Sequence, residues 1–410
     1  MTNHVQLGDL CVPIRGVTFS AGEASTSFKE DFVACVTTSA VQDSVDWESR
    51  RFVPRKAMAS SDQILRPGDI LVSTANSKAL VGKSCLIQKV PELCTFGAFV
   101  TVFRPRSGVW PAWLAYFLRS PKVMSRLSAF SSNTTNISNL SVTSALGIPV
   151  TVPDEKSQIK ISAMLDQQMQ TAHAAIERHL VQVRDASRLQ PAFLREAFLG
   201  FVPISTLPKE QPIASWTWAK LSDLARLESG HTPSRRHPEW WGGNVPWLAL
   251  PDIRKLHGKY AYETTECTND AGLANSAARQ LPVSTVCLCR DASIGFVTIL
   301  GRPMATSQHF ANWICDQETL DPEFLMYVFM ASHEYLRELG SGSVIKTIYM
   351  PTIESFHICA PDILEQRRIA RMLRERVVAT ELLTEGLQTR LAEIERLPQR
   401  LLAAIFDSLG

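Results

Sequence analysis

The sequence predicts an α/β (α+β) protein: two mixed globular domains, each followed by a long helix, arranged as a pseudo-twofold internal repeat. Three observations carry this. Residues 153–165 align without gaps to residues 361–373 at an offset of 208, with Pro, Asp, Gln, Ile, Met and Leu identical among the thirteen positions. The same offset pairs Glu177 with Glu385, Leu194 with Leu402 and Phe198 with Phe406, so two helices of matched length follow the two blocks. Upstream of each block, a turn leads into an apolar run, at 65–73 and again at 281–289, the pattern of a loop entering a buried strand.

The helices come first because their spacing is the most regular. In the first copy Ile161, Leu165, Met169, Ala172, Ile176, Leu180 and Val183 recur at intervals of three or four, and in the second Ile369, Leu373, Val377, Thr380, Leu387, Leu391 and Ile394 do the same. That stripe is as narrow as a coiled-coil seam, which predicts that the two helices pair with each other. Pro153 and Pro361 precede an Asp at each start, where a carboxylate complements the helix dipole. Pro191 and Pro398 predict a kink or break near each end, and Gly386 weakens the second helix. About 45 residues at 1.5 Å each would span roughly 65–70 Å. The boundaries read as domains at 1–152 and 214–360, helices at 153–199 and 361–410, and a linker at 200–213 carrying Pro203, Pro208 and Pro212.

Within the domains the same order of features appears twice. After the apolar runs come small-residue loops, 77–83 and 292–295. Phe96-Gly97-Ala98-Phe99 and Ser307-Gln308-His309-Phe310 follow, then short amphipathic helices at 112–118 and 323–330, then polar loops at 131–139 and 341–347.

Composition narrows the functional classes. Apolar residues make up 45% and charged residues 20%, an ordinary soluble profile, and no apolar run approaches the roughly 18 residues of a membrane span. The start of the chain has no charged-then-apolar signal, so a cytoplasmic location without membrane association is expected. The net charge of +2 does not by itself point to nucleic acid. By segment, residues 1–152 hold 15 Lys/Arg and 10 Asp/Glu, whereas residues 214–360 hold 12 and 15. The second domain must therefore rely on a local basic patch or a partner for any grip on a polyanion. The nine cysteines show no CxxC spacing. Cys287 and Cys289 would share one face of a strand, and buried thiols are expected in place of a metal site. Gly82-Lys83-Ser84 ends like a phosphate-binding loop, but Ser77 stands where that loop needs glycine. No pattern of catalytic residues emerges.

The stretch Ser229-Gly230-His231-Thr232-Pro233-Ser234-Arg235, followed by Trp240-Trp241-Gly242-Gly243-Asn244-Val245-Pro246-Trp247, resembles the opening of a target recognition domain of the type I restriction–modification specificity subunits. Ala292-Ser293-Ile294-Gly295 resembles that family's small-residue loop, and Pro361…Glu365-Gln366…Ile369 the start of its spacer helix. The likeness covers almost the whole chain. The first half departs from it, having no Thr-Pro-Ser string and Ser157 in place of the glutamate of the Glu-Gln pair.

The resemblance implies two target recognition domains joined by two long antiparallel coiled-coil helices. Each domain would read one half of a bipartite double-stranded DNA target, and the helices would set the gap. It implies a non-catalytic role in DNA modification and defence against foreign DNA, with two copies of a methyltransferase subunit, and restriction/translocase subunits, as partners. S-adenosylmethionine would be bound by the methyltransferase and no cofactor or metal by this chain. On this reading the DNA-contacting residues are Thr232, Ser234, Arg235, Arg236, Arg290, Ser293, Gln308, His309, Lys346 and Thr347 in the second domain. Their first-domain counterparts are Asn76, Lys78, Lys83, Asn133, Thr134 and Asn136. The helix-pair and partner-facing set is Ile161, Leu165, Met169, Ile176, Ile369, Leu373, Val377, Leu387, Leu391 and Ile394. Trp240, Trp241 and Trp247 read as packing residues beside Gly242 and Gly243 rather than base-stacking ones. The alternatives are a coiled-coil adaptor with duplicated protein-binding domains, and an enzyme lacking the usual signatures.

Overall fold

The computed structural model describes residues 3–78, 80–133, 138–208, 215–342 and 346–408. The chain divides into two compact units, residues 1–180 with 389–410 and residues 181–388. The predicted repeat is present in the strand pairing of each. In unit 1, strands Cys11–Arg15, Val100–Pro105, Ile70–Ser73 and Ser84–Leu86 form an antiparallel sheet in that order. In unit 2, Ala225–Ser229, Phe310–Cys315, Val286–Cys289 and Val297–Leu300 do the same, with Tyr260–Ala261 added in parallel at the edge. A second sheet also repeats. Phe32–Val36 lies between antiparallel Arg51–Pro54 and parallel Cys94–Phe96, and Trp241–Leu248 lies between antiparallel Glu266–Thr268 and parallel Ala305–Thr306. Asn3–Gln6 pairs with Pro149–Val152, as Thr217–Lys220 pairs with His357–Ala360.

The two apolar runs are the buried strands expected of them. Ile70 and Val72 face a core with Trp113, whereas Leu71 faces another with Phe96 and Val102. Val286 and Leu288 likewise face one core, and Cys287 and Cys289 a second. Both faces are covered, so the strands read as continuous apolar stretches without alternation.

The long helices span Glu155–Ser187 and Ile363–Ile394 and break where the prolines predict, giving way to Leu189–Ala197 and Leu397–Phe406. Asp154 accepts from the Ser157 amide at 2.9 Å, and Asp362 from the Leu364 and Glu365 amides at 3.0 Å, so both starts are capped by the predicted carboxylate. Gln158 and Gln366 repeat a clamp. Gln158 Nε2 donates to the Pro153 carbonyl at 2.9 Å while its Oε1 accepts from the Trp110 amide at 2.7 Å. Gln366 makes the same pair of contacts, to the Pro361 carbonyl at 2.9 Å and the Asp321 amide at 3.0 Å.

Three expectations are corrected. Leu165 and Met169 face more than a partner helix: they lie in the core of unit 1 with Trp113 and Leu114 of the domain and with Leu402 and Phe406 of the second helical segment, and Ile161 packs against it. Ile369, Leu373 and Val377 lie in the core of unit 2 with Leu194, Phe198 and Phe324. An apolar stripe at intervals of three and four suits a domain wall as well as a partner helix, and here the first turns meet the wall. Ile176, Leu387, Leu391 and Ile394 are half-buried. The short helix Pro322–Ala331 is not amphipathic: it is buried from Pro322 to Met330, because the sheet covers one side and Leu194 and Phe198 the other. Finally, the expected linker contributes to the fold. Ile204–Ser205 adds a strand beside His357–Ala360, with Ile204 buried and Phe201 against Trp216 at 5.8 Å.

Candidate nucleic-acid interface

The second-domain candidates converge because two backbone segments press together. A Cβ on Gly230 would lie 2.1 Å from the Ser307 carbonyl oxygen, so only glycine lets the strand Ala225–Ser229 run on directly over residues 306 and 307. The His231 amide then donates to the Thr306 carbonyl at 2.9 Å, and the Thr232 hydroxyl donates to Gln308 Oε1. Arg290 reaches the same loop, its Nε donating to the Gln308 carbonyl at 3.1 Å and its amide to the His309 carbonyl at 2.9 Å. His309 Nδ1 meets both oxygens of Asp291 at 2.7 and 2.8 Å. Thr347 bridges to Asp291 through its backbone, and Lys346 beside it is exposed. Ser293 is buried and accepts from Arg254 Nε at 3.4 Å. Thr232, Arg290, Ser293, Gln308, His309 and Thr347 thus form one neighbourhood with Asp291, to which Arg254 is an addition that sequence reading missed.

Arg235 is held by its neighbours. Its guanidinium holds Glu266 with two hydrogen bonds of 2.7 and 2.6 Å and lies 3.7 Å from the centre of the Trp241 ring and 5.2 Å from that of Trp247. The ion pair raises the arginine and lowers the glutamate from their ordinary ranges. Both directions follow first from the hydrogen bonds between the two groups and then from each charge favouring the other. Trp247 is buried, meets the half-buried Trp241 edge to face at 4.8 Å and donates to the His231 carbonyl at 3.1 Å, so these two pack against each other. Arg235 therefore buttresses the loop, leaving Ser234 and the exposed Arg236 at its outer edge.

In unit 1 the candidates fall into two places. Asn76 and Lys83 line a cleft of about 240 Å³ with Thr38, Ser39, Gln42 and Ser73. Lys83 Nζ donates to Gln42 Oε1 at 2.6 Å, and Gln42 Nε2 to the Ser39 carbonyl at 2.9 Å. Lys78 is exposed nearby in sequence. Asn133 ends the strand Ser131–Asn133, which pairs with Ser138–Leu140, while Thr134 and Asn136 lie outside the described residues.

The repeat also reveals a counterpart that the sequence concealed. Gly16 presses on residue 97 as Gly230 presses on residue 307, its Cβ position lying 2.2 Å from the Gly97 carbonyl oxygen. The Val17 amide donates to the Phe96 carbonyl at 2.7 Å, as that of His231 does to Thr306. Gly16-Val17-Thr18-Phe19-Ser20 is thus the first-domain equivalent of Gly230-His231-Thr232-Pro233-Ser234, with Phe19 in the place of proline. The offset here is 214, not the 208 of the helices.

The chemistry on offer is that of hydrogen-bonding loops. The sequence Cys289-Arg290-Asp291 with His309 is superficially reminiscent of a nucleophile with its base. However, the Cys289 thiol is buried, pushed up to about 12 by desolvation, and turned to the Asp291 carbonyl at 3.1 Å. A protonated thiol facing backbone is not a nucleophile. Among the described residues there is no group of three or more side chains suited to hold a metal ion, and no helix long and apolar enough to cross a membrane.

Comparison with known proteins agrees with this picture. Residues 214–396 match the family model described as the type I restriction modification DNA specificity domain. The chain is 24% identical over 407 residues to the StySPI specificity subunit of Salmonella potsdam, and 25% identical over 415 residues to the EcoKI specificity subunit of Escherichia coli K12. Each alignment covers 96% of this chain and 86% of the relative. The MjaIX specificity subunit of Methanocaldococcus jannaschii is 29% identical over 172 residues, 42% of this chain and 38% of that one. Among solved structures, a chain from work on complex assembly and conformational transition of the type I R-M system has a TM-score of 0.74 at 17% identity, covering 99% of this chain and 97% of its own. The HsdS subunit from Thermoanaerobacter tengcongensis has a TM-score of 0.63 at 16% identity, covering 99% and 96%. These two share the fold.

Proposed function

We propose that this chain is a type I restriction–modification specificity subunit, that it reads a split double-stranded DNA target with its two repeated domains, and that it carries no catalytic centre of its own. The observation that supports this most is the duplicated loop scaffold: Gly16 and Gly230 each bring a threonine-bearing loop over residues 97 and 307. Side-chain hydroxyls, amides and cations on such loops are the groups that meet base edges and phosphates. Two readers built on one plan address two half-sites, and the long helices between them set the spacing. Two copies of a methyltransferase subunit dock on the helices and bind S-adenosylmethionine, restriction/translocase subunits join through them, and the assembly works in the cytoplasm. The absence of a net positive charge on residues 214–360 favours a shared grip, in which the methyltransferase supplies part of the phosphate contact.

The test is to co-express the chain with its methyltransferase, measure DNA binding and map methylated bases across a genome. A split motif with a fixed gap supports the reading. A well-formed complex with neither specific binding nor methylation would favour the protein-binding adaptor.

A further inference from the structure

The structure assigns to Gln308 the reading of one base in the half-site addressed by unit 2, with Thr232 as the positioning residue that fixes which end of its amide faces outward. The inference rests on the function proposed above and adds the chemical class of the base: guanine, which presents two hydrogen-bond acceptors, O6 and N7, in the major groove.

The two units supply an internal comparison. Their scaffolds agree bond for bond around this loop. The Val17 and His231 amides donate to residues 96 and 306, at 2.7 and 2.9 Å, and the Thr74 and Arg290 amides donate to residues 99 and 309, both at 2.9 Å. On these matched frames the side chains diverge. Unit 1 carries Ala98 and Phe99, the latter 61% exposed, where unit 2 carries Gln308 and His309. A common frame with different exposed side chains is what two readers of different sequences require. The buried neighbours are set by packing and cannot vary so freely.

Gln308 is also held in a way its surface position does not demand. Its backbone carbonyl accepts from Arg290 Nε at 3.1 Å, which fixes the root of the side chain. Its Oε1 accepts from the Thr232 hydroxyl, and Thr232 is placed there by the close approach of Gly230 to Ser307. A glutamine with both amide ends free pairs with adenine, accepting from N6 and donating to N7. With the oxygen engaged by Thr232, the NH₂ group faces outward, and a donor selects a base edge that accepts.

The experiment uses the full chain in complex with its methyltransferase, read by methylation mapping and by binding to duplex oligonucleotides carrying each base pair at each position of the mapped motif. A G·C pair is expected at one position of the second half-site. Gln308→Ala lowers discrimination at that position about tenfold, leaves the first half-site unchanged and leaves thermal melting unchanged, because the side chain is exposed. Thr232→Val weakens the same position, and Thr232→Ser restores it. The inference is overturned if Gln308→Ala leaves every position intact, if it weakens all sequences equally, or if the pair it relaxes is A·T. A wild-type complex that recognises no split motif would instead refute the proposed function itself, so the two failures are told apart.

Discussion

Removing the Gln366 clamp should cost unit 2 much of its stability while sparing unit 1. Gln366 is 2% exposed, and its amide makes three contacts: donation to the Pro361 carbonyl at 2.9 Å and the Thr319 carbonyl at 3.1 Å, and acceptance from the Asp321 amide at 3.0 Å. Gln366→Ala leaves those backbone groups without partners at the point where the long helix joins its domain. Orphaning buried polar groups costs roughly 1–3 kcal/mol each, and water can reach two of the three bonds in part, so about 3 kcal/mol is expected in total. For a unit of this size each kcal/mol lowers the melting temperature by about 2–4 °C, giving a fall of roughly 6–12 °C. The assay is scanning calorimetry on the full chain, with hydrogen exchange at the Asp321 amide to localise the effect. Gln158→Ala should reproduce it in unit 1 through the Trp110 amide. A shift below about 1 °C, or equal shifts of both units from either variant, would refute the reasoning.

Two further perturbations test the site. Arg235→Ala removes an ion pair to Glu266 and a cation–π contact with Trp241, together about 1–2 kcal/mol. Discrimination at the second half-site should weaken without a change in the first, measured by motif mapping, and Arg235→Lys should not rescue it because lysine lacks the planar fork. Stability of unit 2 should also fall with acid. Burial, aided by His333, lowers His257 from 6.5 to about 4. The unfolded chain therefore binds this proton more readily, and the stabilisation is complete above pH 6.5 and lost as pH falls toward 4. The amplitude is roughly 3 kcal/mol, and His257→Gln should flatten that part of the pH–melting curve.

How much of this was legible in the sequence depended on distance along the chain. The long helices, their Asp caps and their proline breaks rest on local signals, and the offset of 208 carried Gln158 onto Gln366 even though their shared clamp could not be foreseen. The buried strands at 70–73 and 286–289 were legible for the same reason. The first-domain counterpart of the Thr-Pro-Ser loop was hidden because insertions move the offset to 214 there, and Phe19 replaces the proline that marks the motif. Leu165 and Leu373 carry the spacing of a helix seam, and periodicity does not say whether a domain or a second helix covers it. Arg235 looked free because Glu266 is 31 residues away, brought to it only by strand pairing between Trp241–Leu248 and Glu266–Thr268.

Modularity is the claim on which the rest depends, and exchanging residues 214–360 for the equivalent domain of the EcoKI specificity subunit tests it most directly. Expressed with the methyltransferase and read by methylation mapping, the hybrid should keep one half of the recognised motif and its gap while the other half changes. Alteration of both halves, or of neither, would contradict the account.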